Sequence, residues 1–156
     1  MRDQLPAADV IHLALPFRIN GAGALFSPLL LAGEPAANPP DAANDARLDA
    51  RDVMNLTLTA RLAILSDASA MSMRDAADEA ALVQWAWRAA GVPSLVMARW
   101  PTQTAAAEDL LAGFHRRVRA GEPPASALRA AQADVRASQG HSAPFYWAGW
   151  ILIGVR

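Results

Sequence analysis

The sequence predicts an α/β domain built on a mostly parallel sheet with helices on both faces. Short, nearly continuous apolar runs alternate with longer segments of helical periodicity, and turn residues separate the two kinds of segment. With 156 residues, the chain has room for one domain with a full core and too little for two ordinary ones.

The elements follow in order. "DVIHLAL" is a short β-rich run stopped by Pro16, and "PLLLAG" is a second run that leads into the aperiodic Pro/Ala/Asn loop "GEPAANPPDAANDAR". "LDARDVMN" reads as a short helix with Asp49 as its N-cap. "TARLAILS" is a central buried strand. A helical pattern spans about Arg74 to Ala90 and closes on Gly91, with Pro93 just beyond. "SLVMARW" is the next strand.

Thr104 can cap a helix in which Ala107, Leu110, Leu111, Phe114 and Val118 share one face and which ends at Gly121. Pro123 and Pro124 start another, with Leu128, Ala131 and Val135 turned inward and an end near Gly140. "FYWAGWILIGV" closes the chain as a strand on which Trp147 and Trp150, three apart, point to opposite faces. Trp85 and Trp87, two apart on a helix, cannot share a face, so that helix has two buried faces or an exposed aromatic patch.

Composition narrows the function. All 14 basic residues are arginine, which reads as the coding bias of a GC-rich, bacterial genome, and the net charge of −1 gives no reason to expect nucleic acid or an anionic membrane as partner. The longest apolar run is too short to span a bilayer and "MRDQLPAADV" is interrupted by an acid and a proline, so no membrane segment or signal peptide is expected and the cytoplasm is the expected location. The absence of cysteine excludes disulfides, Cys-ligated zinc and a thiolate nucleophile together.

"ARLAILSDASAM", Ala60 to Met71, is where chemistry is expected, because a buried strand there delivers a polar loop to the sheet edge. Taken together, "ADVIHLA", "ALFSPLLLAG", "LDARDVMNLTL", "ARLAILS", "AWRAAGVPSLVMARWP", "AAAEDLLAGFHRRVRAGEPPASALRAAQADV" and "HSAPFYWAGWILIG" run in an order and spacing that resemble the C-terminal half of a CHAT domain, a caspase-like peptidase module often found beside tetratricopeptide repeats. The resemblance covers nearly the whole chain. It implies a partial three-layer caspase-like fold in one domain over residues 1–156. Four strands, near Val10–Ala14, Leu62–Leu65, Leu95–Ala98 and Trp147–Ile153, would lie side by side with the last antiparallel. Helices near Asp75–Ala90, Thr104–Ala120 and Ala125–Ser138 would cover both faces.

The resemblance also implies where the family's catalytic pair would stand. The family's "HLATHG" reads "HLALPF" here, which puts Pro16 where the general base belongs, and "LSACETG" reads "LSDASAM", which puts Ala68 at the nucleophile. The acidic residues that follow the family's "LW" phrase are also missing, since Pro101, Thr102, Gln103 and Thr104 follow Trp100. A proline ring does not titrate and a methyl group cannot attack a carbonyl. The expectation is a catalytically inactive, CHAT-like pseudo-peptidase serving as a protein-interaction or regulatory module. The alternative is a hydrolase using Ser66 or Ser69, with Asp67 beside them and His12, His115 or His141 as base.

For each of these residues the plainer expectation is structural. His12 packs or hydrogen-bonds within its strand; Ser66, Asp67 and Ser69 hydrogen-bond to the local turn. His115, with Arg116, Arg117 and Arg119, belongs to a helix C-terminus as a dipole partner, and His141 supports a loop. The three histidines lack metal-ligand spacing, and "GAG" at Gly21 to Gly23 is not a dinucleotide fingerprint, so neither metal nor cofactor is expected.

Only nine residues precede "VIHLA", whereas the family places a further strand there, so this chain is expected to be a truncated or C-terminal portion with Val10–Ala14 at a sheet edge. Pro16 and Arg18 would limit open-ended growth. A protein partner or a second copy is expected along that edge, with Val10, Ile11, His12, Trp85 and Trp87 at the contact. Folding back of "MRDQLPA" over the edge is the alternative.

Overall fold

The computed structural model describes residues 2–14, 29–30, 47–66, 76–100 and 104–154. Among these, β1 (Val10–Leu13), β4 (Leu62–Leu65), β5 (Ser94–Ala98) and β6 (Trp150–Gly154) form one sheet in the order β1-β4-β5-β6. The first three are parallel and β6 runs antiparallel to β5. The "PLLLAG" run contributes only β2 (Leu29–Leu30), which pairs antiparallel with β3 (Arg47–Leu48) in a separate two-stranded ribbon.

Register explains how both faces are covered. Leu13, Leu65 and Met97 align across the sheet and share a face, and Gln84 of α2 (Ala76–Ala89) donates to Met97 Sδ at 3.8 Å, which places α2 on that side. His12, Ile64 and Val96 align on the other face, where His115 of α3 (Thr104–Arg119) meets His12. Each helix turns an apolar stripe inward: Val83, Ala86, Trp87 and Ala90 at the end of α2, then Ala106, Leu110, Phe114 and Val118 of α3. On α4 (Pro124–Ala137) the stripe is Ala127, Leu128, Ala131 and Val135.

The ends of the elements follow from their chemistry. Asp49 caps α1 (Ala50–Met54) in a reciprocal box, its carboxylate accepting from Asp52 N–H at 2.8 Å while Asp52 Oδ2 accepts from Asp49 N–H at 3.3 Å. Gly91 ends α2 with φ +107°, letting Val92 N–H donate back to the Trp87 carbonyl.

The end of the chain departs from expectation. The strand near Trp147–Ile153 begins only at Trp150, because Pro144–Tyr146 forms a turn of 3-10 helix and residues 147–149 turn after it. Trp147 is therefore not a strand residue, and the two-face argument built on it fails. Its indole N–H donates to the Ser142 carbonyl at 3.1 Å. Pro144 sets this local structure, since a proline is accommodated at the start of a helical turn and interrupts a strand ladder. Trp85 is 54% exposed while Trp87 is in the core, so of the two sequence alternatives α2 carries the exposed aromatic.

Two glycines give a differential test. A Cβ on Gly91 would lie 2.6 Å from the Leu58 carbonyl oxygen, and the Leu58 N–H is itself held by Ala90, whereas Gly121 has φ +91° and open space around it. Gly121→Ala is expected to cost about 1 kcal/mol from backbone strain alone. Gly91→Ala should cost at least about 1 kcal/mol more because of the backbone collision. Chemical denaturation midpoints of the two variants measure the difference.

Candidate functional site

The site stands where β1 and β4 end side by side. Ser66 N–H donates to the Leu13 carbonyl at 3.1 Å, so the last ladder bond fixes the residue just past β4 against the end of β1. His12 is in phase with Val10 on the face opposite Ile11 and Leu13, so its ring lies outside the α2-side core, on the α3 side. His115 follows the fully buried Phe114, which anchors α3 and leaves the imidazole half-buried at the margin of the stripe.

These placements join residues from three elements. Ser66 Oγ lies 3.0 Å from His12 Nε2, and His12 Nδ1 lies 3.0 Å from His115 Nε2. The two imidazoles stack with centroids 4.9 Å apart and planes inclined by 30°. Serine oxygen, imidazole Nε2, imidazole Nδ1 and a third group is the connectivity of a serine hydrolase triad. The third group here is an imidazole.

Electrostatics sets what this chain can do. Burial first, and the neighbouring His115 second, hold the His12 pKa below the ordinary 6.5. Burial first, and the Arg119 guanidinium second, lower that of His115. Both shifts favour the neutral ring over the imidazolium. A triad carboxylate stabilises the imidazolium that forms when histidine takes the serine proton. His115 brings no negative charge, and Arg119 opposes a positive one. Neutral His12 can donate from Nε2 to Ser66 Oγ while accepting from His115 at Nδ1, or accept from the Ser66 hydroxyl while donating from Nδ1 to His115.

The remaining site residues are scattered or lie elsewhere. Pro16, Asp67, Ala68, Ser69, Arg18, the Gly21–Gly23 segment and residues Pro101 to Gln103 fall outside the described residues. His141 contacts the Tyr146 ring edge-on, 5.0 Å between centroids, as a loop residue. Arg117 pairs with Asp134 of α4 at 2.6 Å and is tied into the helix pair. Ser66 Oγ bonds across strands to His12, and the turn that follows Ser66 lies outside the described residues. Ile11 and Trp87, expected at a contact, are buried in the core with 3% and 1% exposure, and this fold gives a partner no access to their side chains. The His12–His115 pair was not foreseen. The partners are 103 residues apart, and only the packing of α3 on β1 brings them together.

The family follows from sequence comparison over this same frame. The CHAT domain model matches residues 1–155. The chain belongs to the CHAT domain family. The similar curated proteins include tetratricopeptide repeat protein 28 of Mus musculus, 32% identical over 107 residues, and its Homo sapiens namesake, 31% identical over 107 residues. Each match covers 69% of this CHAT chain and about 4% of the relative's length. In this CHAT domain the polar chain lies at the paired ends of β1 and β4. Among the described residues of this CHAT domain, no helix is long and apolar enough to cross a membrane.

The lowered histidine pKa values fix the sign of a pH effect. Below pH 6.5 the unfolded chain binds protons at both rings more readily than the folded one. Stability should be full above that value, fall as the pH drops below it, and level off below the folded-state pKa values. Urea midpoints between pH 7.5 and 5 should show this fall, with a shallower slope in His115→Ala.

Proposed function

We propose that this CHAT domain is a non-catalytic protein-interaction or regulatory module. The observation that carries the reading is the composition of the strand-end site: no cysteine in the chain, and a polar chain that ends on a neutral imidazole beside Arg119. Cysteine peptidase chemistry needs a thiolate, which a chain without cysteine lacks, and base catalysis gains from a stabilised imidazolium, for which no carboxylate pairs with His12 or His115 among the described residues. The name of the mammalian relatives agrees with the reading, since tetratricopeptide repeats stack into extended binding surfaces.

The interaction surface in this reading is the outer side of β1. Asp9 and Leu13 accept from the N–H groups of Arg61 and Ser66 on the β4 side, so by alternation the backbone groups of Val10 and His12 face away from β4. Among the described residues, no strand pairs with that side. Such an edge adds a strand from a partner or from a second copy of itself, and a cytoplasmic location would suit either. Exposed Trp85 supplies a separate aromatic contact.

The outward groups choose the variant. Proline at Ile11 would break the sheet itself, whereas Val10→Pro removes an outward N–H and leaves the β4 ladder intact. Sedimentation at micromolar concentration is expected to show a wild-type dimer and a Val10→Pro monomer. A wild-type monomer would exclude self-pairing.

The second reading, a hydrolase with Ser66 as nucleophile and His12 as base, is favoured by their 3.0 Å contact. A fluorogenic ester and peptide panel separates the two. We expect wild type and Ser66→Ala to be indistinguishable from buffer. Turnover lost on that single substitution would establish the hydrolase instead.

A further inference from the structure

The unassigned feature that the structure carries furthest is the facing pair of ring nitrogens on β1 and α3. We infer that His12 Nδ1 and His115 Nε2 form an open binding site for a borderline divalent transition metal of the Zn²⁺, Ni²⁺, Cu²⁺ class. This goes beyond the interaction reading and does not depend on it.

The geometry supports the assignment in three ways. Two ligands each about 2.0 Å from one ion are separated by about 2.8 Å at a right angle and about 3.3 Å at the tetrahedral angle. The observed 3.0 Å lies within that interval. The ring centroids are 4.9 Å apart, and rotation about the His Cβ–Cγ bonds, which are soft torsions, would turn both lone pairs from their mutual hydrogen bond toward a shared ion.

The second support is the hydrogen bond on the far side of His12. A metal-bound histidine usually donates its other ring N–H to an oxygen, which fixes the tautomer and leaves the ligating lone pair free. In the tautomer that donates from Nε2, Ser66 Oγ, 3.0 Å away, serves as that acceptor and leaves the His12 Nδ1 lone pair facing His115, whose own proton sits on Nδ1 when the metal is bound. Third, the ligands sit on two packed elements, a strand and a helix anchored by buried Phe114, so the site is held by the fold. The lowered pKa values favour the unprotonated imidazoles, the state that coordinates.

The same surroundings limit the site. Arg119 opposes added positive charge near His115. Among the described residues, no group of three or more His, Asp or Glu side chains converges on one point. The site is therefore open, with water or an external donor completing the coordination. Imidazole-only ligation selects the later first-row divalent ions over Mg²⁺ and Ca²⁺. Ligand spacing along the sequence could not reveal this pair.

Histidine NMR on tag-free, chelator-treated protein tests the inference. Titration with ZnCl₂ at pH 7.5 is expected to shift the ring resonances of His12 and His115 together, to saturate at one equivalent and to leave His141 unchanged. Calorimetry with NiCl₂ should show affinity at least about tenfold weaker in His12→Ala and in His115→Ala, and reduced but measurable in Ser66→Ala. MgCl₂ should leave the resonances unmoved. Unshifted His12 and His115 resonances at saturating zinc, or full affinity retained in either alanine variant, would overturn the site. The wild-type spectra decide the question even if a variant fails to fold.

Discussion

The structure depends on the burial of β4 on both faces and along both edges. Leu62, Ala63 and Ile64 have no measurable exposure and Leu65 has 8%, and the strand is paired to β1 on one side and β5 on the other. Such a strand has one acceptable register, because a slip by one residue would exchange the rows facing α2 and α3. Everything at the site inherits that register. Ser66 reaches the end of β1 because Leu65 is opposite Leu13, and His12 reaches Ser66 because it stands one residue earlier on the same edge.

Much of this frame was legible in the residues. Apolar continuity located β4 and β5, and the four-residue steps Leu110, Phe114 and Val118 located the face of α3. Asp49 and Gly91 marked their helix ends through local chemistry that a short window contains. The start of β6 was misjudged because Phe145, Tyr146 and Trp147 are β-favouring in isolation, while Pro144 and the packing of Trp100 against Gly149 decide otherwise. A Cβ at Gly149 would lie 2.7 Å from that indole.

The site was less legible than the fold. The motif resemblance pointed to Pro16 and Ala68, which lie outside the described residues, and single-residue reasoning allowed His12 a hydrogen bond, but its partners come from the end of β4 and from α3. A long-range pair of this kind leaves no periodicity behind. Its chemistry also inverts the usual logic of a triad. Where a hydrolase places a carboxylate to hold positive charge on the base, this CHAT domain places a second imidazole under the influence of Arg119, and both rings are driven toward neutrality. Both imidazoles are thereby favoured in the neutral form that hydrogen-bonds to Ser66 and to each other.

The central claim is that β1 is a sheet edge whose outer backbone groups are available for a partner strand. Amide hydrogen exchange of Val10, Ile11, His12 and Leu13, followed by NMR at a dilution where the protein is monomeric, tests it most directly. The account predicts slow exchange at Ile11 and Leu13, whose N–H groups face β4, and fast exchange at Val10 and His12, with the latter two becoming protected as concentration rises or a partner binds. Equal, strong protection of all four amides in the monomer would show that the edge is already covered by the chain itself and would contradict the account.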